Sequence, residues 1–118
     1  MASTVLELRR GDLAWADFSP TRGREQDGER PAVIVASNEY LESVPTLVIA
    51  LPVTTVDRGW PHHVRLTGEA VKLGKPSWAM TEQPRAISRD RLTRSAGQVD
   101  VDCLAEIDQW LRDFFGLH

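Results

Sequence analysis

The chain has 118 residues, of which 42% are hydrophobic and 26% are charged, and its formal net charge is −3. These values are typical of a globular domain with one core, so we predict a single domain over residues 1–118, with residues 1–8 flexible. No apolar stretch approaches the roughly 20 residues that a membrane helix needs, and no secretory signal is visible. A lone cysteine excludes an internal disulfide and favours a cytoplasmic protein.

Short strand-like runs separated by Gly, Pro, Asn and Asp make up most of the chain. In order they cover residues 11–18, 31–37, 47–54, 62–68, 75–83 and 97–99. The second and third runs are almost continuously apolar and rich in Val and Ile, which is typical of strands covered on both faces. Pro52 interrupts the third run and has no N–H to donate, so it predicts a sheet edge or a bulge at that point.

The C-terminal part changes to a helical period. Apolar residues recur there at steps of three and four and predict one stripe of an amphipathic helix: Leu104, Ile107, Leu111 and Phe114. Asp100 is the predicted N-cap and Gly116 the predicted stop, and Ser88 is expected to cap one short turn before them. We therefore predict a mainly β fold with a C-terminal helix, in which antiparallel strands wrap into a small barrel.

A charged loop precedes the second strand, over residues 19–30, and ends in Arg30 just before Pro31. Thr54 lies at the far end of the third strand. If these two strands are antiparallel neighbours, Arg30 and Thr54 lie close together at one rim of the barrel. The loop itself is long for a compact domain, which is typical of a functional segment.

This pair of side chains suits a phosphate. The guanidinium of Arg30 is a planar fork of donors, the hydroxyl of Thr54 can also donate, and Glu25 could orient the arginine. RNA supplies its own nucleophile, the 2′-OH, so such a site would need no metal and no covalent residue. The alternative is a surface salt bridge from Glu25 or Glu29 to Arg30, which contributes about 0–1 kcal/mol.

Two further groups of residues bear on possible binding sites. Four arginines surround one acid, Asp90, and could form a local basic groove or simply a solvated surface: Arg85, Arg89, Arg91 and Arg94. No Cys/His cluster has the spacing of metal ligands. His62 and His63 are adjacent, and on a strand their side chains would point to opposite faces. We therefore predict no metal site and no cofactor.

The motifs around Arg30 and Thr54 resemble those of a known toxin family. The segment Gly23 to Pro31, GREQDGERP, followed by AVIVASN, resembles the signature of the MazF/PemK/Kid toxin endoribonucleases. LPVTT at 51–55 and EQPRAIS at 82–88 resemble the second and third motifs of the family, and the likeness runs in order over roughly residues 9 to 117.

The resemblance implies a small SH3-like barrel of the PemK/CcdB type, a homodimer, and sequence-specific, metal-independent cleavage of single-stranded RNA. Attack by the 2′-OH would leave a 2′,3′-cyclic phosphate and a 5′-hydroxyl. It implies that Arg30 and Thr54 are catalytic. The residues that it implies for RNA binding or for orienting the pair are Arg24, Glu25, Gln26, Ser37, Asn38, Glu82 and Gln83.

Two positions depart from the pattern of some members. Several members carry serine or histidine at the position of Arg24, and the Kid branch uses an arginine where this chain has Met80. The version of the site that this sequence retains is therefore the one built on Arg30 and Thr54.

A toxin of this family also implies a cognate antitoxin, whose acidic and flexible segment would lie in the RNA groove. Two alternatives share the expected fold and are open at this point. One is a CcdB-like topoisomerase (gyrase) poison that acts through the surface of its C-terminal helix. The other is a non-catalytic barrel used for protein interaction.

Overall fold

The computed structural model describes residues 7–18 and 28–117. Its elements in chain order are β1 (Asp12–Asp17), β2 (Glu29–Ile34), α1 (Asn38–Ser43), β3 (Leu47–Thr54), β4 (His63–Arg65), β5 (Trp78–Met80), β6 (Arg85–Ser88), a 3-10 turn (Arg89–Arg91), β7 (Leu92–Gln98) and α2 (Val101–Phe115). The predicted flexibility of residues 1–8 falls outside the described residues except at Glu7 and Leu8, and Leu8 packs against the core.

The strands form one antiparallel sheet in the order β4-β5-β3-β2-β1-β7. β3 is its central strand, with β2 on one edge and both β6 and β5 on the other. The strands that the structure describes follow an open path from β4 to β7 and do not close into a ring. The chain after β4 nevertheless returns to β7 through a bridge between Val71 and Gly97. The predicted mainly β architecture with a C-terminal helix is confirmed.

The prediction that Pro52 marks a sheet edge or a bulge is confirmed on one side of β3, because Leu51 and Pro52 fall between the residues that pair with β6 and those that pair with β5. On the other side of β3, Pro52 is buried and pairs with Ala32. The Val35 N–H donates to the Ile49 carbonyl at 3.0 Å, so the alternation of an antiparallel ladder makes Ala32–Pro52 a non-hydrogen-bonded pair. The nitrogen of Pro52 therefore points to the opposite edge of β3. There the pairing with β6 ends at Ala50 and the pairing with β5 begins at Val53, so no N–H is needed.

Each face of the sheet has its own core because strand residues alternate between faces. We call one face the α2 face, since helix α2 covers it; its buried residues include Leu13, Val33, Leu51, Val53, Cys103 and Ile107. We call the other the α1 face, since helix α1 lies on it; its buried residues are Ala16, Ala32, Ile34, Ala36, Leu41, Val48 and Ala50.

The ends of helix α2 agree with the sequence prediction. The Asp100 carboxylate accepts a hydrogen bond from the Cys103 N–H at 2.9 Å, and Gly116 adopts a left-handed conformation with φ 70°. The predicted turn after Ser88 is present, although the Ser88 side chain makes no capping hydrogen bond. Of the helices that the structure describes, none is long and apolar enough to span a bilayer.

Helix α1 and strand β6 were not predicted. Only Leu41 of α1 is buried, so the segment shows no apolar stripe in the sequence. β6 has no fully buried residue and follows Pro84, the residue after the end of the strand predicted over 75–83. Both elements are held by contacts with β3 that local sequence patterns do not reveal.

We expect the substitution Gly97→Ala to destabilise the fold by more than about 2 kcal/mol, because it combines a strained backbone with a steric clash. Gly97 has φ 95°, and an added Cβ would lie 1.8 Å from the carbonyl oxygen of Ala70. Urea unfolding followed by circular dichroism measures the change. The matched control is Gly74→Ala, since Gly74 has no neighbour within 4 Å of an added Cβ and no positive φ. Equal unfolding free energies for the two variants would contradict this account.

Candidate functional site

Arg30 and Thr54 lie at the same end of two neighbouring strands. Arg30 is near the start of β2 and Thr54 ends β3, and these strands are antiparallel neighbours with Ala32 opposite Pro52. The paired residues run from Ile34–Ala50 to Ala32–Pro52, and Arg30 and Thr54 each lie two residues beyond this last pair, at the same end of the two strands.

Both side chains also leave the sheet on the same face. Arg30 shares its face with Ala32 and Thr54 shares its face with Ala50, and both alanines belong to the core of the α1 face. The Arg30 side chain is exposed and Thr54 is half-buried. A guanidinium and a hydroxyl are therefore presented together from two paired strands, which hold them more rigidly than a loop would.

The charge of Arg30 is not neutralised within the described residues, where no carboxylate forms an ion pair with it. Glu29 is adjacent in sequence but points to the α2 face, where its carboxylate lies 3.5 Å from Arg94 and accepts a hydrogen bond from Thr93. The Glu29–Arg30 salt bridge considered as the alternative is therefore wrong. The corresponding contact of Glu25 lies outside the described residues.

The hydroxyl of Thr54 is oriented by its own loop. Its oxygen accepts a hydrogen bond from the Val56 N–H at 3.1 Å, which leaves the O–H free to donate. A hydroxyl donor and a guanidinium that has no ion-pair partner among the described residues can together bind and stabilise an oxyanion such as a phosphate.

A cleft of about 440 Å³ opens beside β6. Its lining residues are Asp17, Phe18, Arg85, Ala86, Ile87, Ser88 and Arg91. Arg85 pairs with Ala50 of β3 and so lies on the α1 face, as Arg30 does. Its guanidinium stands 5.2 Å above the ring centroid of Phe18. A cation stacked on an aromatic ring in an open cleft can contact both the phosphate and the base of a nucleotide.

Arg85 was not predicted as a site residue, because the face that it occupies follows from strand β6, which the sequence did not reveal. Two other arginines of its cluster make structural contacts. Arg89 donates to the carbonyls of Leu41 and Val44 at the end of α1. Arg94 lies over Trp15 on the α2 face, with its guanidinium carbon 4.6 Å from the ring centroid.

Ser37 and Asn38 lie away from Arg30. They follow the other end of β2, seven and eight residues beyond Arg30, and seven extended residues span about 20 Å. The Ser37 hydroxyl caps helix α1 by accepting from the Tyr40 N–H at 3.0 Å, and the Asn38 side chain accepts from the Arg10 N–H at 2.9 Å. Both side chains therefore have local structural partners.

Glu82 and Gln83 lie on the turn between β5 and β6, where the Gln83 amide donates to the Glu82 carboxylate at 3.2 Å. Both are exposed. The remaining predicted site residues, Arg24, Glu25 and Gln26, lie outside the described residues.

The expectation that His62 and His63 face apart is wrong. β4 begins only at His63, so strand alternation does not govern His62, which lies in the preceding turn. The Nε2 atom of His63 is 3.1 Å from one oxygen of Glu82, and that of His62 is 3.5 Å from the other. Burial raises the pKa of Glu82, but hydrogen bonds from His63, from its own backbone N–H and from Gln83 outweigh this effect and lower it.

An antiparallel sheet with a C-terminal helix packed on one face defines this chain as a small, mainly β protein. The chain matches the family model described as PemK-like, MazF-like toxin of type II toxin-antitoxin system over residues 9–115. It therefore belongs to that family, and the resemblance stated from the sequence is confirmed.

Individual relatives agree with this membership. The chain is 31% identical over 112 residues to a Staphylococcus saprophyticus protein named Endoribonuclease MazF, covering 94% of this chain and 93% of the relative. It is similar to the crystal structure of MazF from Deinococcus radiodurans, with a TM-score of 0.75, 30% identity and coverage of 92% and 96% of the two chains. A MazE–MazF crystal structure from the same organism gives a TM-score of 0.78 at 27% identity, covering 94% of this chain and 97% of the other.

We expect the substitution Thr54→Val to change the unfolding free energy by less than about 1 kcal/mol. The hydroxyl that it removes is half-buried, and water can satisfy the exposed Val56 N–H in its place. The contrasting variant is Thr81→Val, because Thr81 is fully buried and donates to the His62 carbonyl at 2.6 Å. Its loss should cost about 1–3 kcal/mol. Urea unfolding of both variants checks the contrast, and a Thr54→Val cost as large as that of Thr81→Val would contradict it.

Proposed function

We propose that this chain is the toxin of a type II toxin-antitoxin pair and an endoribonuclease that cuts single-stranded RNA, including mRNA, at specific sequences without a metal ion. The observation that supports the proposal is the antiparallel pairing of β2 with β3, because Arg30 and Thr54 lie two residues beyond its last pair, Ala32–Pro52, at the same end and on the same face. The name of the Staphylococcus saprophyticus relative, Endoribonuclease MazF, supports the activity.

In the proposed reaction the ribose 2′-OH loses its proton and its oxygen forms a bond to the adjacent phosphorus. The bond from phosphorus to the 5′-oxygen breaks, and that oxygen takes up a proton. The products are a 2′,3′-cyclic phosphate and a 5′-hydroxyl. Arg30 stabilises the charge that develops on the phosphate oxygens, and Thr54 donates a hydrogen bond to one of them. A guanidinium keeps its proton at neutral pH, so we assign Arg30 an electrostatic role.

RNA binding extends from this pair along the α1 face. We propose that Arg85 binds a phosphate and that Phe18 beside it offers a stacking surface, since the two line one open cleft. The residues proposed from the family resemblance complete the RNA surface or orient Arg30: Arg24, Glu25, Gln26, Ser37, Asn38, Glu82 and Gln83. Of these, Ser37 and Asn38 would contact RNA well away from the phosphate that is cut.

The proposed partners follow from the same family. Deinococcus radiodurans MazF is described in complex with MazE. We propose that this chain likewise has a cognate antitoxin, that an acidic flexible segment of it occupies the RNA surface, and that the toxin is a cytoplasmic homodimer. An acidic segment would compete with RNA for the exposed guanidinium groups of Arg30 and Arg85.

We expect the protein to cut single-stranded RNA in EDTA, and Arg30→Ala to lower kcat by at least about 100-fold, as expected when a group that stabilises an oxyanion is removed. Thr54→Val should lower kcat with little change in stability. Cleavage is followed on labelled RNA, and the ends are identified by mass spectrometry. The matched controls are Arg94→Ala, on the opposite face of the sheet, and Thr46→Val, before the other end of β3.

Three outcomes would contradict this proposal. Cleavage that needs added magnesium would exclude the metal-independent reaction. Full activity of Arg30→Ala would exclude the site. Intact RNA, together with growth arrest on expression that survives Arg30→Ala, would favour the topoisomerase poison.

We expect Arg85→Ala to weaken RNA binding and to reduce the steepness of its salt dependence, because it removes one phosphate contact. On a plot of log affinity against log salt, the slope should fall by about 0.7, the value for one contact with a single strand. Fluorescence anisotropy with labelled RNA, using Thr54→Val as the background to prevent cleavage, measures it. Arg94→Ala in that background should keep the original slope, and an unchanged slope for Arg85→Ala would exclude its assignment.

A further inference from the structure

A cluster of two histidines and one carboxylate has no role in the proposed cleavage step. The ligand atoms of His62, His63 and Glu82 all lie within 4.8 Å of one another. We propose that these residues bind one divalent transition-metal ion, with Zn²⁺ as the preferred ion. The proposed RNA cleavage needs no metal, so this site goes beyond that function and does not depend on it.

The spacing of the cluster fits a single ion. Zinc binds imidazole nitrogen and carboxylate oxygen at about 2.0–2.1 Å, so two ligands of a tetrahedral site lie about 3.3–3.4 Å apart. The Nε2 atom of His63 is 3.1 Å from one Glu82 oxygen, and that of His62 is 3.5 Å from the other. These two contacts are close to the ligand spacing of a tetrahedral ion, and the ligand atoms of all three residues lie within 4.8 Å of one another, so small rotations of the side chains would bring them to one ion.

The donor set selects the kind of metal. Two neutral imidazoles and one carboxylate suit zinc and its neighbours among the transition metals, whereas calcium and magnesium prefer oxygen ligands alone. Three protein ligands leave a fourth position, which a water molecule or an exogenous ligand would occupy.

The two imidazole rings are held in place by aromatic neighbours. His63 has only 2% of its side chain exposed and meets the Trp60 ring edge-on, with centroids 4.9 Å apart. The ring of His62 stacks on the ring of Trp60, with centroids 5.5 Å apart and planes at 17°, and it meets the ring of Phe114 edge-on. Rings that are already oriented lose little freedom when they bind a metal, which favours affinity.

The cluster is also open to solvent on one side. The side chains of His62 and Glu82 are 26% and 30% exposed, which gives an ion a path to the ligand atoms. The ligands come from two segments, since His62 and His63 lie at the start of β4 and Glu82 on the β5–β6 turn. An ion would therefore link two parts of the chain that only folding brings together, and it would stabilise the native state.

The test uses the full-length protein, freed of metal with EDTA and transferred to EDTA-free buffer. Isothermal titration with ZnCl₂ should show one ion bound per chain, and the melting temperature should rise with zinc concentration. Co²⁺ should give the visible absorption of a four-coordinate site. Removing a hydrogen-bond partner of a metal ligand costs about 10–100-fold in metal affinity, so removing a ligand itself in His62→Ala should lower zinc affinity at least as much.

Two further variants test whether the zinc is bound by these residues. His118→Ala removes the one other histidine of the chain and should leave zinc affinity unchanged. Glu82→Gln keeps the shape of the side chain and an acceptor for His63, but it removes the charged ligand and should weaken binding as His62→Ala does. Circular dichroism and melting in EDTA show that each variant is folded.

The proposed site is excluded if the parent binds no zinc, or if His62→Ala binds it as tightly as the parent. Cleavage of RNA in EDTA is measured on the same preparations. Loss of cleavage in EDTA would contradict the proposed function but not the metal site. Absence of zinc binding would contradict the metal site but not the proposed function.

Discussion

The pairing of β2 with β3 is the constraint on which the candidate site depends. It brings Arg30 and Thr54 to the same end of two neighbouring strands, although 23 residues separate them in the chain, and strand alternation turns both side chains to the α1 face. A shift of the register by one residue would send one of them to the opposite face. The register is maintained by the two cores, since Ile34 must face Leu41 of α1 while Val33 must face the side covered by α2.

Much of the fold, and the neighbouring positions of β2 and β3, could be predicted from the sequence. The limits of β3 and the caps of α2 were visible because they are carried by an apolar run and by local capping residues, Asp100 and Gly116. The proximity of Arg30 and Thr54 followed from assuming that two apolar runs are antiparallel neighbours, which the structure confirms.

The rest depends on contacts between distant segments. Strand β6 exists because β3 offers it an edge, so the position of Arg85 over Phe18 could not be predicted from local patterns. The convergence of His62, His63 and Glu82 was missed for a similar reason. Adjacent histidines were assigned to a regular strand, but only one of them belongs to it, and their carboxylate partner comes from a turn 19 residues further on.

Pro52 has a consequence for the turn between β5 and β6. Because its nitrogen carries no hydrogen, one edge of β3 is divided into two separately paired halves, and the β5–β6 turn spans the interval between them. Glu82 and Gln83 lie on that turn. The turn therefore crosses this interval without a ladder hydrogen bond to β3, and it is held instead by the Gln83 N–H bond to the Met80 carbonyl and by the contacts of Glu82 with the two histidines.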